Sequence, residues 1–135
     1  MRAINPPGLV PSPFYSHGIE LRNADRLLFI SGQVGMRADR SVPEAIGEQI
    51  RQAYANLHAV LAEAGMTPAN LVKVTVYLTD PAAIAEHRTA VRDLLPDPPH
   101  ATTLLVVSQL ADPRFLVEVE AIAAATAHDP QHPAE

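Results

Sequence analysis

The sequence predicts one α+β domain of order ββαβαββ, with two helices packed on the same face of a mixed sheet. Three observations predict it. Apolar residues recur at helical spacing in two stretches, each giving a single stripe. A β-branched run from Leu71 to Thr79 separates those stretches. Two further apolar segments, 102–108 and 115–124, follow the second helix and form a closing pair of strands. The domain is expected to occupy residues 1–126, with a polar, proline-containing tail over 127–135 that is expected to be disordered.

Residues 1–13 carry Pro6, Pro7, Pro11 and Pro13 and read as an extended arm. Tyr15 to Leu21 is the first strand. Asn23-Ala24-Asp25 turns the chain into the second, Arg26 to Ser31, and the two are predicted to pair as a hairpin. Helix one is placed at about 43–64: Ser41 caps it, Glu44 stands three residues on, and Pro43 tolerates lacking an N–H there. Its stripe is Ile46, Ile50, Ala53, Leu57, Val60, Leu61 and Ala64, and Gly65 ends it in the left-handed conformation. Leu71 to Thr79 is a central strand. Helix two spans about 81–95, with Ile84, Val91, Leu94 and Leu95 inward, and Pro96, Pro98 and Pro99 stop it. The sheet face away from the helices must also bury apolar side chains, and nothing in the chain remains to cover it; self-association is the simplest answer.

Composition excludes several function classes. No apolar run approaches the ~20 residues of a membrane span. The first residues lack the basic stretch and apolar core of a secretory signal, and there is no cysteine, so a cytoplasmic protein is expected. The absence of cysteine removes disulfides, thiolate metal sites and a cysteine nucleophile. A net charge of −5 and a single lysine, Lys73, argue against a nucleic-acid partner. The six histidines lack paired ligand spacing, so no metal is expected. There is no Gly-x-Ser-x-Gly elbow and no glycine-rich phosphate loop.

Three charged positions stand out by periodicity. Glu118 and Glu120 alternate with Val117 and Val119 and therefore point to the face opposite those valines, where they either meet a ligand or make structural hydrogen bonds in water. Arg88 lies four residues after Ile84 and three before Val91, on the apolar stripe of helix two. A guanidinium there binds a ligand, pairs with a carboxylate such as Glu86 or Asp93 of another copy, or reaches out to water.

Four strings carry a resemblance. They are Pro13-Phe14-Tyr15-Ser16-His17-Gly18, Phe29-Ile30-Ser31-Gly32-Gln33-Val34, Val72 to Asp80, and Leu116 to Ala123. In this order and at these separations, over about residues 12 to 124, the chain resembles the RidA/YjgF family. The resemblance implies a chorismate-mutase-like fold, a homotrimer with pockets between subunits, and hydrolysis of reactive imino or enamino acids to keto acids and ammonia without metal or organic cofactor. Ribonuclease activity, also attributed to some members, fits an acidic chain poorly.

The same resemblance assigns roles. Glu118 matches the family's water-handling glutamate and Tyr15 a tyrosine beside the pocket, whose phenol orients the imine; these two are the catalytic candidates. Thr102 matches an arginine that grips the substrate carboxylate, so that grip is missing here. Arg88 stands where the family often has asparagine, near the neighbouring subunit's pocket, and is the candidate replacement, with Thr102 and Thr103 as uncharged donors. Gly32 and Gln33 lie where the backbone approaches the ligand. His17 replaces a more usual polar residue and is a candidate proton shuttle or merely a strand-edge residue. Leu104 takes the place of a common cysteine, making that flank more apolar. Three functions follow: a variant imine hydrolase, a carboxylate-binding trimer without chemistry, or an enzyme for a bulkier, less acidic substrate.

Overall fold

The computed structural model describes residues 1–126, so the expected tail lies outside the described residues. In chain order the elements are β1 (Arg2–Ile4), β2 (Gly18–Glu20), β3 (Ala24–Val34), α1 (Ile46–Glu63), β4 (Leu71–Leu78), α2 (Ile84–Val91), β5 (Ala101–Val106) and β6 (Val117–Thr126). The main sheet runs β3-β6-β4-β5. β6 is antiparallel to both neighbours, while β4 and β5 are parallel. A parallel pair needs a long crossover, and α2 supplies it.

The core lies between this sheet and the helices. Ile50, Ala53, Leu57 and Leu61 of α1 are wholly buried, as are Val74, Val76 and Leu78 of β4 and Val117 and Val119 of β6. The period of four residues on the helix and two on the strands is what brings these side chains to one layer. Gly65 takes φ 69° immediately after α1, as its position predicts.

Three local expectations are corrected. The predicted hairpin is not formed: β2 pairs with β1 in a separate two-stranded sheet, and β3 pairs with β6. The 11 residues of β3 find a partner of 10 residues in β6, far more ladder than the three residues of β2 can offer. Ser41 does not cap α1, which begins at Ile46 with Ala45 as its N-cap. The Ser41 hydroxyl instead donates to Asp39 Oδ1 at 2.6 Å, a local bond that competes with capping.

The third correction concerns α2, whose buried row is Ala83, His87 and Val91, in steps of four. Arg88, one position further round, is exposed. The helical stretch is a composite, with 3-10 turns at Pro81–Ala83 and Arg92–Leu94 flanking two α turns. The sequence pattern read it as one continuous helix with Arg88 in the row.

The face away from the helices carries exposed apolar side chains. Phe29 is 71% exposed and Leu27 55%, and Phe29 stands opposite Ile122 on β6.

Candidate active site

The predicted residues fall into two groups on opposite sides of the sheet. Paired residues on adjacent strands share a face. Thr102 pairs with the buried Val74 and so looks toward the helices. Glu118 pairs with Tyr77 and lies between the buried Val117 and Val119, so it looks the other way. Within one chain the Thr102–Arg88 group and Glu118 do not meet.

On the helix-free face, Glu118 leans over the backbone of β3. The β3–β6 register passes from Ile30 opposite Ala121 to Gln33 opposite Val119, so Ser31 and Gly32 together face Glu120 in a β-bulge. Glu118 lies opposite Val34, which makes Gly32 its diagonal neighbour. A Cβ at Gly32 would stand 1.7 Å from Glu118 Oε1 and 2.6 Å from Cδ. Only hydrogen at position 32 leaves room for the carboxylate. Gln33 folds back, its Nε2 donating to Ser31 O at 3.1 Å.

Beside Glu118, the Tyr77 hydroxyl donates to Glu120 Oε1 at 2.5 Å, and this bond, with the nearby carboxylates, pushes the phenol's pKa up. Lys73 Nζ donates to Thr103 Oγ1 at 2.6 Å. Lys73 also lines a shallow groove of about 330 Å³ with Phe29, Ser31, Thr75, Glu120 and Ile122. Thr103 thus sits with the carboxylates, not with Thr102.

The second group surrounds a cavity of about 140 Å³ between α1, α2, β5 and the N-terminal segment. Tyr15, Arg88, Thr102 and Leu104 line it, together with Phe14, Tyr54, His87, Val91, Leu95 and His100. The main chain of Ser16 brings Tyr15 here: Ser16 N donates to His100 O at 3.1 Å, Ser16 bridges Ala101 in parallel, and the Ser16 hydroxyl donates to Pro99 O. Arg88 stacks over Phe14, its guanidinium carbon 5.6 Å from the ring centroid. Within the chain, no carboxylate among the described residues forms an ion pair with it.

Two histidines in this cavity are neutral near pH 7. Burial pushes the His87 pKa down to about 4, with Arg88 adding to the effect. Burial likewise takes His100 down to about 4, against a backbone hydrogen bond that raises it. His100 Nδ1 and Thr102 Oγ1 are 2.8 Å apart, so the Thr102 hydroxyl is already engaged. The Tyr54 hydroxyl and His87 Nε2 are 2.9 Å apart.

His17 stands apart from both groups. Its Nε2 donates to Val10 O at 2.7 Å, its backbone N–H donates to Asn5 Oδ1 at 2.8 Å, and its ring meets Tyr15 edge-on at 5.3 Å. The imidazole holds the N-terminal arm and, through Tyr15, the cavity wall.

Sequence reasoning missed His87 and Tyr54. The signal for His87 was present, since it lies four residues from both Ala83 and Val91. Tyr54 follows the inward Ala53 directly and was hidden because its neighbours already filled the stripe.

A four-stranded mixed sheet covered on one face by two helices, with a strand carboxylate on the other, defines a Rid-type α+β protein. The sequence model of the family described as Endoribonuclease L-PSP matches residues 8–125, and the chain belongs to this family, also called RidA/YjgF. It is similar to the Rid family protein YyfB of Yersinia pestis, a crystal structure of a protein of unknown function, with TM-score 0.82 and 36% identity over 92% of this chain and 98% of that one. It is 42% identical to a RutC family protein of Aquifex aeolicus over 59% of this chain and 63% of that one. It is also 41% identical to the 2-iminobutanoate/2-iminopropanoate deaminase of Rattus norvegicus, over 42% of each chain.

Proposed function

We propose that the protein hydrolyses reactive imines or enamines of small organic acids to the carbonyl compound and ammonia, in a cleft between copies of the chain. The observation that carries this is Glu118 seated against Gly32. The carboxylate lies at a bulge whose missing Cβ gives it room to sit against the β3 backbone. Imine hydrolysis asks little more of a protein: water adds to the C=N carbon, its proton passes to a base, and the same group returns a proton to nitrogen as ammonia leaves. Glu118 fills that role. Tyr15 orients the imine from the cavity wall.

Arg88 supplies the carboxylate grip that Thr102 does not. Because Arg88 and Glu118 belong to opposite sides of one sheet, they act together only when the helix side of one copy faces the open side of another. The exposed Phe29 and Leu27 support such an assembly, since apolar side chains of this size call for a cover. A homotrimer satisfies this requirement in closed symmetry. The relative of known activity from rat acts on 2-iminobutanoate and 2-iminopropanoate by its name, and the match to it favours this reaction class. The net charge of −5 speaks against ribonuclease activity.

The test is ammonia release from freshly generated 2-iminobutanoate and 2-iminopropanoate, and from imines of larger side chain. Acceleration over buffer that disappears in Glu118→Gln supports the proposal. No acceleration of any of these imines by the folded protein sinks it and leaves a non-catalytic carboxylate binder, the reading favoured by Thr102 in place of arginine.

A further inference from the structure

The cavity between α1, α2, β5 and the N-terminal segment carries its charge at the mouth and is neutral within. Arg88 is exposed, whereas Tyr54, Val91 and His100 in the same lining are at most 6% exposed. Arg88 is the one cation among the described lining residues, no carboxylate lines the cavity, and both histidines are neutral near pH 7. The inner polar groups engage one another: Thr102 Oγ1 lies 2.8 Å from His100 Nδ1, and the Tyr54 hydroxyl 2.9 Å from His87 Nε2. Phe14, Tyr15, Leu95 and Leu104 complete an apolar wall. The volume of about 140 Å³ is close to the ~150 Å³ that holds a benzene molecule in an engineered protein core.

We propose that this cavity is the side-chain subsite for a 2-imino acid whose side chain is an uncharged, aryl-sized apolar group, with the carboxylate on Arg88 at the mouth and the ring inside. The proposal deepens the hydrolase reading, rests on Arg88 as its carboxylate grip, and separates the substrate class from short aliphatic 2-imino acids.

The connectivity of the substrate fits this arrangement. In a 2-imino acid the carboxylate and the side chain are bonded to the same carbon, the one that water attacks. Holding the carboxylate at the mouth keeps the C=N carbon there, where the proposed cleft brings Glu118 of another copy, and leaves the interior to the side chain. Arg88 is free for this grip: it stacks over Phe14 at 5.6 Å and makes no ion pair among the described residues. A charged side chain is unsuited, because it would be desolvated inside with no opposite charge to meet. A methyl or ethyl group would leave most of the volume unfilled, whereas a ring packs against the Phe14 and Tyr15 rings. Thr102 is the specificity-determining residue. Short and bonded to His100, it leaves the inner space open and uncharged, where a longer cationic side chain would occupy it.

Equilibrium binding of pyruvate and phenylpyruvate, which differ by one phenyl group, tests the subsite without turnover. Phenylpyruvate is expected to bind at least ~10-fold more tightly, the low end of what moving a phenyl ring from water to an apolar site yields. Leu104→Trp fills the cavity and should bring the two acids within about 2-fold of each other, since the ring then stays in water. Arg88→Gln should weaken both at least ~10-fold and keep the preference, because the charged grip is common to them. In the unaltered protein, ring protons of bound phenylpyruvate should show nuclear Overhauser contacts to the Leu95 and Leu104 methyl groups, a result that needs no variant to fold. Phenylpyruvate binding no tighter than pyruvate, failure of both to bind included, overturns the subsite. So does a preference without those methyl contacts, or one that survives in folded Leu104→Trp. Imine turnover is measured separately: the phenyl preference with no turnover leaves the subsite standing while the hydrolase reading falls, and turnover without the preference does the reverse.

Discussion

Gly32 and Glu118 compete for one volume: a methyl group at 32 would lie 1.7 Å from Oε1 and 2.9 Å from Cγ of the carboxylate side chain. Gly32 has no left-handed φ, so alanine is compatible with the backbone there. What gives way is the end of a flexible side chain. Gly32→Ala is expected to fold with a stability change within about 1 kcal/mol and to lose at least ~10-fold in imine turnover, as a misplaced catalytic group would. Denaturant unfolding and ammonia release on one preparation check both halves.

Gln49 ties the entrance of α1 to the strand that carries Glu118. It is 1% exposed; its Nε2 donates to Pro43 O and Arg114 O, both at 2.8 Å, and its Oε1 accepts from Leu116 N at 2.9 Å. Gln49→Leu keeps the bulk and orphans three backbone groups. At about 1–3 kcal/mol for each buried unsatisfied group, the expected loss is about 3 kcal/mol or more, read from the denaturation midpoint.

Gly35 packs against the same residue through its backbone. A Cβ there would meet Gln49 Cα at 2.7 Å and Gln49 O at 2.8 Å, and a helix backbone cannot swing aside as a carboxylate can. Gly35→Ala is therefore expected to cost about 1–3 kcal/mol as an overpacking change, in contrast to Gly32→Ala. Equal stability of the two alanine variants would contradict the contacts described.

Acid should destabilise the fold through His87 and His100. Both have pKa values lowered from 6.5 to about 4, chiefly by burial. The unfolded chain binds protons at these sites before the folded one does, so their stabilising contribution is complete above about pH 6.5 and lost as pH falls toward 4. Each loss is on the order of 3 kcal/mol at the low end of that window. Unfolding free energies measured across this range should fall, and the fall should be shallower in His87→Gln and His100→Gln.

Arg88→Gln should raise KM for an imino acid at least ~10-fold with a smaller change in kcat, the signature of a lost ground-state grip. Arg88 is exposed and, among the described residues, makes no ion pair, so stability should change by less than about 1 kcal/mol. No change in either KM or kcat would place Arg88 outside the substrate site.

Alternation along β6 is enough to turn Glu118 away from Val117 and Val119, and the run from Leu71 is enough to make a central strand. The stripe of α1 and the stop at Gly65 are equally local, because a residue's phase within its own element depends only on its neighbours in sequence. The partner across the gap does not. That β3 pairs with β6 instead of β2, that Gly32 rather than another glycine lies under Glu118, and that Ser16 delivers Tyr15 to Thr102 are decided by contacts between distant segments. How α2 docks on the sheet puts His87 in the buried row and Arg88 outside it. Sequence alone thus determined which residues carry charge and which way strand residues point; only the tertiary structure decided that Arg88 and Glu118 lie on opposite sides of one sheet, because strand pairing and helix phase are set by the packing that buries the most apolar surface.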